Sequence, residues 1–310
     1  MNDIYRIFGS ELSGYSVKVR SYFRYKGLPH EWILRAPATQ SEFQKYAKLP
    51  LVPLVVTPQG EGIQDSTPII ERFEAASPSL TPEDPTLAFL SALLEEYGDE
   101  WGNKWMFHYR WTYPADCWAT AERMTGRLGF VGSNPTTQPL IEASFKRVLQ
   151  ILDAHLASRP YLLGGRPAMA DFGLWGQLYE AATDPTPGAI MRASAPNVMD
   201  WVQRMLAPKA EGPFEPWSAL AAGLTPLLAE EVGRLFLPWS AANAAAIARG
   251  DKSFTVTLAD APWMQEPQRY HARSLQEIRR KYAAARGAAG LDDLLAQTGC
   301  LSVLRNEGAA

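Results

Sequence analysis

Three short stretches of the 310-residue chain place polar side chains where a helix or strand begins. The first is SGYSVKVR, Ser13 to Arg20. Ser13 stands ahead of apolar side chains at Tyr15, Val19, Tyr22 and Phe23, which is helical spacing, and Gly27 closes the run. A serine at a helix start caps the helix. It also adds a donor to the positive end of the helix dipole, where an anion is stabilised. Ser16, one turn on, is the runner-up hydroxyl, and Tyr15 lies between the two. The second stretch is Val52-Pro53, at the start of the strand-like VPLVVT. A cis bond there turns the N–H and C=O of Val52 outward, free to pair with a peptide-like ligand. The ordinary alternative is a trans proline on a sheet edge. The third is QDSTPII, with Asp65 and Ser66 ahead of a helix that has Pro68 in its first turn. Such a helix start, with the serine hydroxyl, receives a carboxylate, and Asp65 can face an ammonium. Each group also has a plain capping role.

A run of aromatic residues, Trp101 to Trp118, holds four of the ten tryptophans. Trp105, His108, Tyr109, Trp111 and Tyr113, with Tyr15, are candidates for lining an apolar pocket. Aromatic side chains at helical spacing belong mostly to cores, so roughly one or two of these should reach a pocket. Glu95, Glu96, Asp99 and Glu100 with His108 match no metal-ligand spacing and read as a charged, solvated face. Cys117 and Cys300 form neither a disulfide framework nor a metal knuckle, and no metal is expected.

The elements that must hold these groups follow from periodicity. Ile4–Phe8 and His30–Leu34 read as strands around the helix that follows Ser13, a β-α-β unit. Val52–Thr57 and Ile63–Gln64 follow as strands turned at Gly60 and Gly62, then a helix with Ile69, Ile70 and Phe73 on its apolar face. Ser77–Pro85 is a linker. Beyond it, Leu87, Leu90, Leu94, Tyr97, Trp101, Trp105 and His108 step by threes and fours as one long helix. Leu140–Leu156, Asp171–Ala182 and Val198–Leu206 hold three more. The pattern predicts a mixed α/β domain over residues 1–80 and an all-α domain over 86–210. Residues 211–310 carry Phe214, Trp217, Phe236, Trp239, Phe254 and Trp263, too many large apolar groups for a disordered tail. This extension is expected to be mostly helical and packed on the helical domain.

Hydrophobic residues make up 46% of the chain and charged residues 20%, enough for a sizeable core. The net charge of −3 gives no reason to expect nucleic acid or an anionic membrane as partner. The sequence has no signal-peptide pattern and no apolar run long enough to span a bilayer. A cytoplasmic setting is the expectation.

The order of these elements resembles the glutathione S-transferases, whose thioredoxin-like N-terminal domain precedes an all-helical one. SGYSVKVR resembles the helix start of the serine and cysteine classes, where the leading residue activates the glutathione thiol. Val52-Pro53 resembles the family's cis-proline, where the residue before it pairs with the cysteinyl backbone. Gln64 to Ile70 resembles the acid-and-serine pair that holds the γ-glutamyl end. YLLGGRPAMADFGLWG resembles the Gly-rich turn and buried capped helix of the second domain. The departures are Ala47-Lys48-Leu49-Pro50 on the approach to Val52, Asp65 for the usual Glu or Gln, and Ala168 for a capping Ser or Thr. The extension resembles nothing in the family. The resemblance implies glutathione as cosubstrate, bound at Val52, Pro53, Asp65 and Ser66. Ser13 or Ser16 would hold the thiolate for attack on an apolar small molecule: conjugation, dehalogenation or isomerisation. It is compatible with a homodimer. A non-catalytic ligand-binding protein and an interaction scaffold on the same fold are the alternatives.

Overall fold

The computed structural model describes residues 4–75, 78–113, 115–116 and 127–306. Ser77, Cys117 and Trp118 lie outside them. The N-terminal part runs β1 (Tyr5–Gly9), α1 (Gly14–Tyr25), β2 (His30–Leu34), α2 (Gln40–Tyr46), β3 (Leu54–Val56), β4 (Gly62–Gln64) and α3 (Ser66–Phe73). The sheet order is β2-β1-β3-β4. β1 and β2 are parallel, as a helical crossover requires, and β3 is antiparallel to both its neighbours. Side chains alternate across the sheet. Ile7 and Val55 join α1 and α3 in the main core, while Phe8, Leu54 and Val56 pack on Phe43 of α2.

The register decides which segments share an end of the sheet. Phe8 pairs with Leu54, and Leu54 with Gln64. The last residues of β1 and β4 and the first of β3 therefore share one end of the sheet. The chain leaves that end toward Ser13 and Asp65 and enters it from Val52-Pro53.

The helical part begins with α4 (Pro85–Tyr97). Asp84 caps it, accepting from the N–H groups of Thr86 at 2.8 Å and Leu87 at 3.2 Å. The predicted long helix continues through His108, but not as uniform α-helix. A π-helical turn, Gly98–Gly102, separates α4 from α5 (Asn103–Thr112). Then come α6 (Arg127–Val131), α7 (Gln138–Leu156), α8 (Met169–Thr183), α9 (Pro185–Ser194) and α10 (Pro196–Arg204). The fold is thus the mixed-sheet domain followed by helices that the sequence predicts.

Buried α8 lies against both α1 and α4. Gly173 and Gly176 stand three residues apart on one face. A Cβ on Gly98 would lie 2.6 Å from the carbonyl carbon of Gly173. A Cβ on Gly176 would lie 2.6 Å from the carbonyl oxygen of Gly14. Backbone thus meets backbone on both sides, and α8 seats the first residue of α1 directly. Asp171 opens α8 and accepts from the N–H groups of Leu162 and Ala168, both at 2.9 Å, and from Trp201 Nε1 at 3.0 Å. Ala168 has no side chain to reciprocate, so one carboxylate serves all three donors. Burial pushes Asp171 up to about 6, against those hydrogen bonds.

Residues beyond 216 add α11 (Trp217–Leu227), a second π-helical segment (Leu228–Phe236), α12 (Leu237–Arg249), the hairpin β5 (Phe254–Leu258) and β6 (Ala261–Gln265), α13 (Arg269–Ala285), α14 (Leu291–Gln297) and α15 (Leu301–Leu304). One buried carboxylate ties this extension to the helical layer. Glu231 accepts from Tyr97 Oη at 2.9 Å, Ser144 Oγ at 2.6 Å and Arg147 Nη1 at 2.8 Å. Ser144 Oγ in turn accepts from Trp101 and Trp105 Nε1, both at 3.0 Å. The extension also reaches the sheet domain, where Lys281 Nζ donates to Glu71 on α3 at 2.7 Å. Among the described residues no helix is long and apolar enough to cross a membrane.

Candidate active site

Ser13 is the N-cap of α1, with extended backbone (φ −124°, ψ 107°). Its Oγ accepts from Ser16 N at 3.3 Å, a long bond that a stronger acceptor can displace. Ser13 is half-buried. Ser16 is fully buried, and its Oγ has no partner. The two serines therefore stand in different surroundings, one half-buried and one fully enclosed. Arg110 of α5 steadies the approach to Ser13. Its Nη1 donates to Leu12 O at 3.2 Å, while Nε and Nη2 hold Asp184 at 2.8 Å and Glu180 at 2.9 Å.

Val52-Pro53 is cis. The departure noted at Ala47–Pro50 has a structural counterpart in Gln64. Gln64 Oε1 accepts from Lys48 N at 2.7 Å and Leu49 N at 2.9 Å. Its Nε2 donates to Leu49 O and Leu51 O, both at 2.8 Å. One amide thus laces the last residue of β4 to the whole loop that leads to Val52. Gln64→Ala is expected to cost about 1–2 kcal/mol, because water replaces some of these partly exposed bonds. A urea denaturation midpoint unchanged from the parent would contradict this.

Asp65 takes a left-handed backbone (φ +79°, ψ 130°), a conformation that costs a non-glycine residue. Asp65 holds the N-cap position of α3, but its side chain caps nothing. The carboxylate turns away from its own helix and accepts from Tyr270 Oη at 3.2 and 3.0 Å. Burial raises its pKa, and the Tyr270 hydrogen bond works against that rise. Ser66 is buried just beyond it, and Thr67 Oγ1 donates to Glu95 at 2.6 Å.

Beside Thr67 the structure corrects the sequence reading. Glu95, Glu96, Asp99 and Glu100 do not form a solvated face; all four are at most 9% exposed. Lys18 of α1 enters from one side and donates to Glu95 at 2.5 Å and Asp99 at 2.6 Å. α13 covers them from the other side, where His271 pairs with Glu100. Burial opposes the charge on Lys18, but Asp99 and Glu95 outweigh it and raise its pKa. Burial likewise opposes the charge on Glu95, and Lys18 nevertheless holds its pKa below the ordinary value. Tyr15 closes the array. Its hydroxyl donates to Asp99 O at 2.9 Å and accepts from Asn103 Nδ2 at 3.1 Å. Burial, then Glu100 and Asp99, raise its pKa, so it stays a neutral phenol.

The aromatic candidates separate by depth. Trp105 and His108 are core residues. Trp105 is bonded to Ser144, and His108 Nδ1 and Nε2 meet Ser133 Oγ at 2.9 Å and Glu142 at 3.1 Å. Tyr109 is buried too, stacked on Tyr113 with ring centres 5.5 Å apart. Trp111 is 9% exposed, with an unpartnered Nε1. Tyr113 is half-buried and donates to Glu142 at 2.6 Å. Of these five candidates, Trp105, His108, Tyr109 and Trp111 are buried, and Tyr113, just past α5, is half-buried.

Sequence reasoning missed Lys18, Arg110 and Tyr270. Lys18 left a signal: three residues after Tyr15 and four before Tyr22, it lies on the buried face of α1. A cation there needs buried anions, and Glu95 and Asp99 stand one turn apart. Arg110 left none beyond its place in an apolar run, and Tyr270 left none at all.

Comparison with known proteins places this geometry. Residues 12–76 match the glutathione S-transferase N-terminal domain and residues 118–204 the C-terminal domain. No curated protein matches the chain. Among solved structures, the chain is similar to a glutathione S-transferase from Methylobacterium radiotolerans JCM 2831 in complex with glutathione sulfonate. Identity is 21%, over 69% of this chain and 96% of that one, with a TM-score of 0.47. A glutathione S-transferase from Methylobacillus flagellatus KT with glutathione bound is 20% identical over 65% and 94%, with a TM-score of 0.48. A β-etherase from Sphingobium sp. strain SYK-6 is 18% identical over 71% and 98%, with a TM-score of 0.47. The two domain matches fall on the sheet domain and on the helices that follow it, and by them residues 12–76 and 118–204 carry the two domains of the glutathione S-transferase family.

Proposed function

We propose that the protein is a glutathione transferase that activates the thiol for attack on an apolar electrophile. The observation that supports this is the strand register: the ends of β1 and β4, which lead to Ser13 and to Asp65-Ser66, lie at the same end of the sheet as the start of β3, which follows Val52-Pro53. On this reading the γ-glutamyl carboxylate lies at Ser66 and the start of α3, and its ammonium at Asp65. The cysteinyl backbone pairs with Val52. The sulfur then lies at Ser13, where the hydroxyl and the start of α1 favour the thiolate. The thiol proton leaves to solvent, and the sulfur lone pair forms the new S–C bond. In a substitution the leaving group departs with its bonding electrons; in an addition a proton returns to the adduct. Conjugation, dehalogenation and isomerisation all begin with this thiolate.

Passage over immobilised glutathione, followed by a thiol-conjugation assay with an activated aryl halide, tests the reading. Retention with turnover is the expected result. Retention without turnover would instead identify a binding protein on this fold, and loss of both would remove the glutathione site.

A further inference from the structure

The segment that meets Asp65 comes from the extension, outside both family-matched regions. It is held firmly. Asn243 of α12, fully buried, clamps the backbone of Gln268 twice, accepting from its N–H at 2.7 Å and donating to its carbonyl at 3.0 Å. One residue past Tyr270, His271 is buried against Glu100 and the Trp239 ring, whose centre lies 4.8 Å away. Tyr270 sits between these two anchors. The residue is 50% exposed, and its hydroxyl lies 3.0 and 3.2 Å from the two Asp65 carboxylate oxygens. A half-exposed side chain on a buried frame is placed to meet a ligand.

We propose that Tyr270 is a ligand-contacting residue of the γ-glutamyl subsite, where its hydroxyl and the Asp65 carboxylate together receive the α-ammonium of a γ-glutamyl thiol. This rests on the glutathione reading given above. The bonding is complete on both sides. The ammonium has three N–H donors, and two go to the Asp65 oxygens. The third goes to the phenol oxygen, which keeps its own proton directed at Asp65 and still has a lone pair. The extension thereby becomes part of the binding site, and the site selects thiols with a free α-amino group over those without one.

Calorimetric titration of the full chain with glutathione and with glutaryl-cysteinylglycine, which lacks that amino group, tests the proposal. Tyr270→Phe keeps the ring, and thermal melting checks that the fold is intact. The parent should bind glutathione more tightly than the analogue. Tyr270→Phe should weaken glutathione about tenfold, the typical worth of a hydrogen bond to a charged group, and leave the analogue within about twofold. An equal loss for both ligands would overturn the proposal and make Tyr270 a packing residue. So would no loss for either. Absence of glutathione binding by the parent protein is a separate result, which removes the transferase reading and this proposal with it.

Discussion

Ser13→Ala should lower turnover by on the order of 100- to 1000-fold while the glutathione dissociation constant stays within about threefold. The asymmetry follows from where charge appears. Most of the tripeptide is assigned to the Val52 backbone, Asp65, Ser66 and Tyr270. Ser13 meets only the sulfur, and its donated hydrogen bond strengthens once the thiol ionises. Removing one donor to an anion in a sheltered site costs about 3–4 kcal/mol, and less where water substitutes. The pH dependence carries the sign. The hydroxyl stabilises the thiolate and so lowers the bound thiol's pKa. Its removal raises that pKa, so the deficit should be largest near neutral pH and shrink as pH rises. Absorbance of the bound thiolate follows this directly. Ser16→Ala is the control, because Ser16 Oγ is buried and bonded to nothing. If Ser16→Ala abolished turnover while Ser13→Ala kept it, the thiolate would belong one helical turn further on. Full activity in both variants would leave Ser13 as a helix cap alone.

Lys18→Met should destabilise the fold by about 3–5 kcal/mol, the usual result of removing one partner from a buried ion pair. Lys18 and Glu95 are essentially inaccessible and Asp99 nearly so, so solvent cannot take over the lost role. The array also joins α1 of the sheet domain to α4 and the π-helical turn of the helical layer. The loss should therefore loosen the contact between the two. In the parent, Glu95 has a folded pKa below its ordinary 4.5, so it contributes stability above that pH and loses it as pH falls through the folded value. Without the ammonium the sign reverses. Burial then raises the folded pKa of Glu95, and stability is lost as pH rises past 4.5. The gap between variant and parent should be widest at neutral pH and narrow below about pH 4.5. Urea denaturation at several pH values measures it. A gap under about 1 kcal/mol, or one independent of pH, would mean that the array contributes little.

The strands, the capped helices and the change from mixed to helical layers were legible in the sequence. Caps, turns and hydrophobic periodicity act over a few residues, and His30–Leu34 appears where its apolar pattern puts it. The glycines of DFGLWG lie in the resemblance too, although their role as backbone contacts needs the packed helices. The π-helical turn at Gly98–Gly102 interrupts a pattern that reads as one helix. Steps of three and four tolerate one inserted residue without losing the apolar face, so periodicity does not report it.

By itself the sequence determined the change from mixed to helical layers, the thioredoxin-like start and the short motifs at the ends of strands. Only the tertiary structure decided which surfaces are covered. Four acids that read as a solvated face became a buried array, because Lys18 arrives from 77 residues upstream of Glu95 and His271 from 171 residues beyond Glu100. Asp65 acquired its partner from Tyr270, 205 positions away. Local patterns reflect the periodicity of one element, and burial of a charge depends on what packs over it. No spacing in the chain states that an extension beginning past residue 210 returns to Asp65 at the end of the sheet.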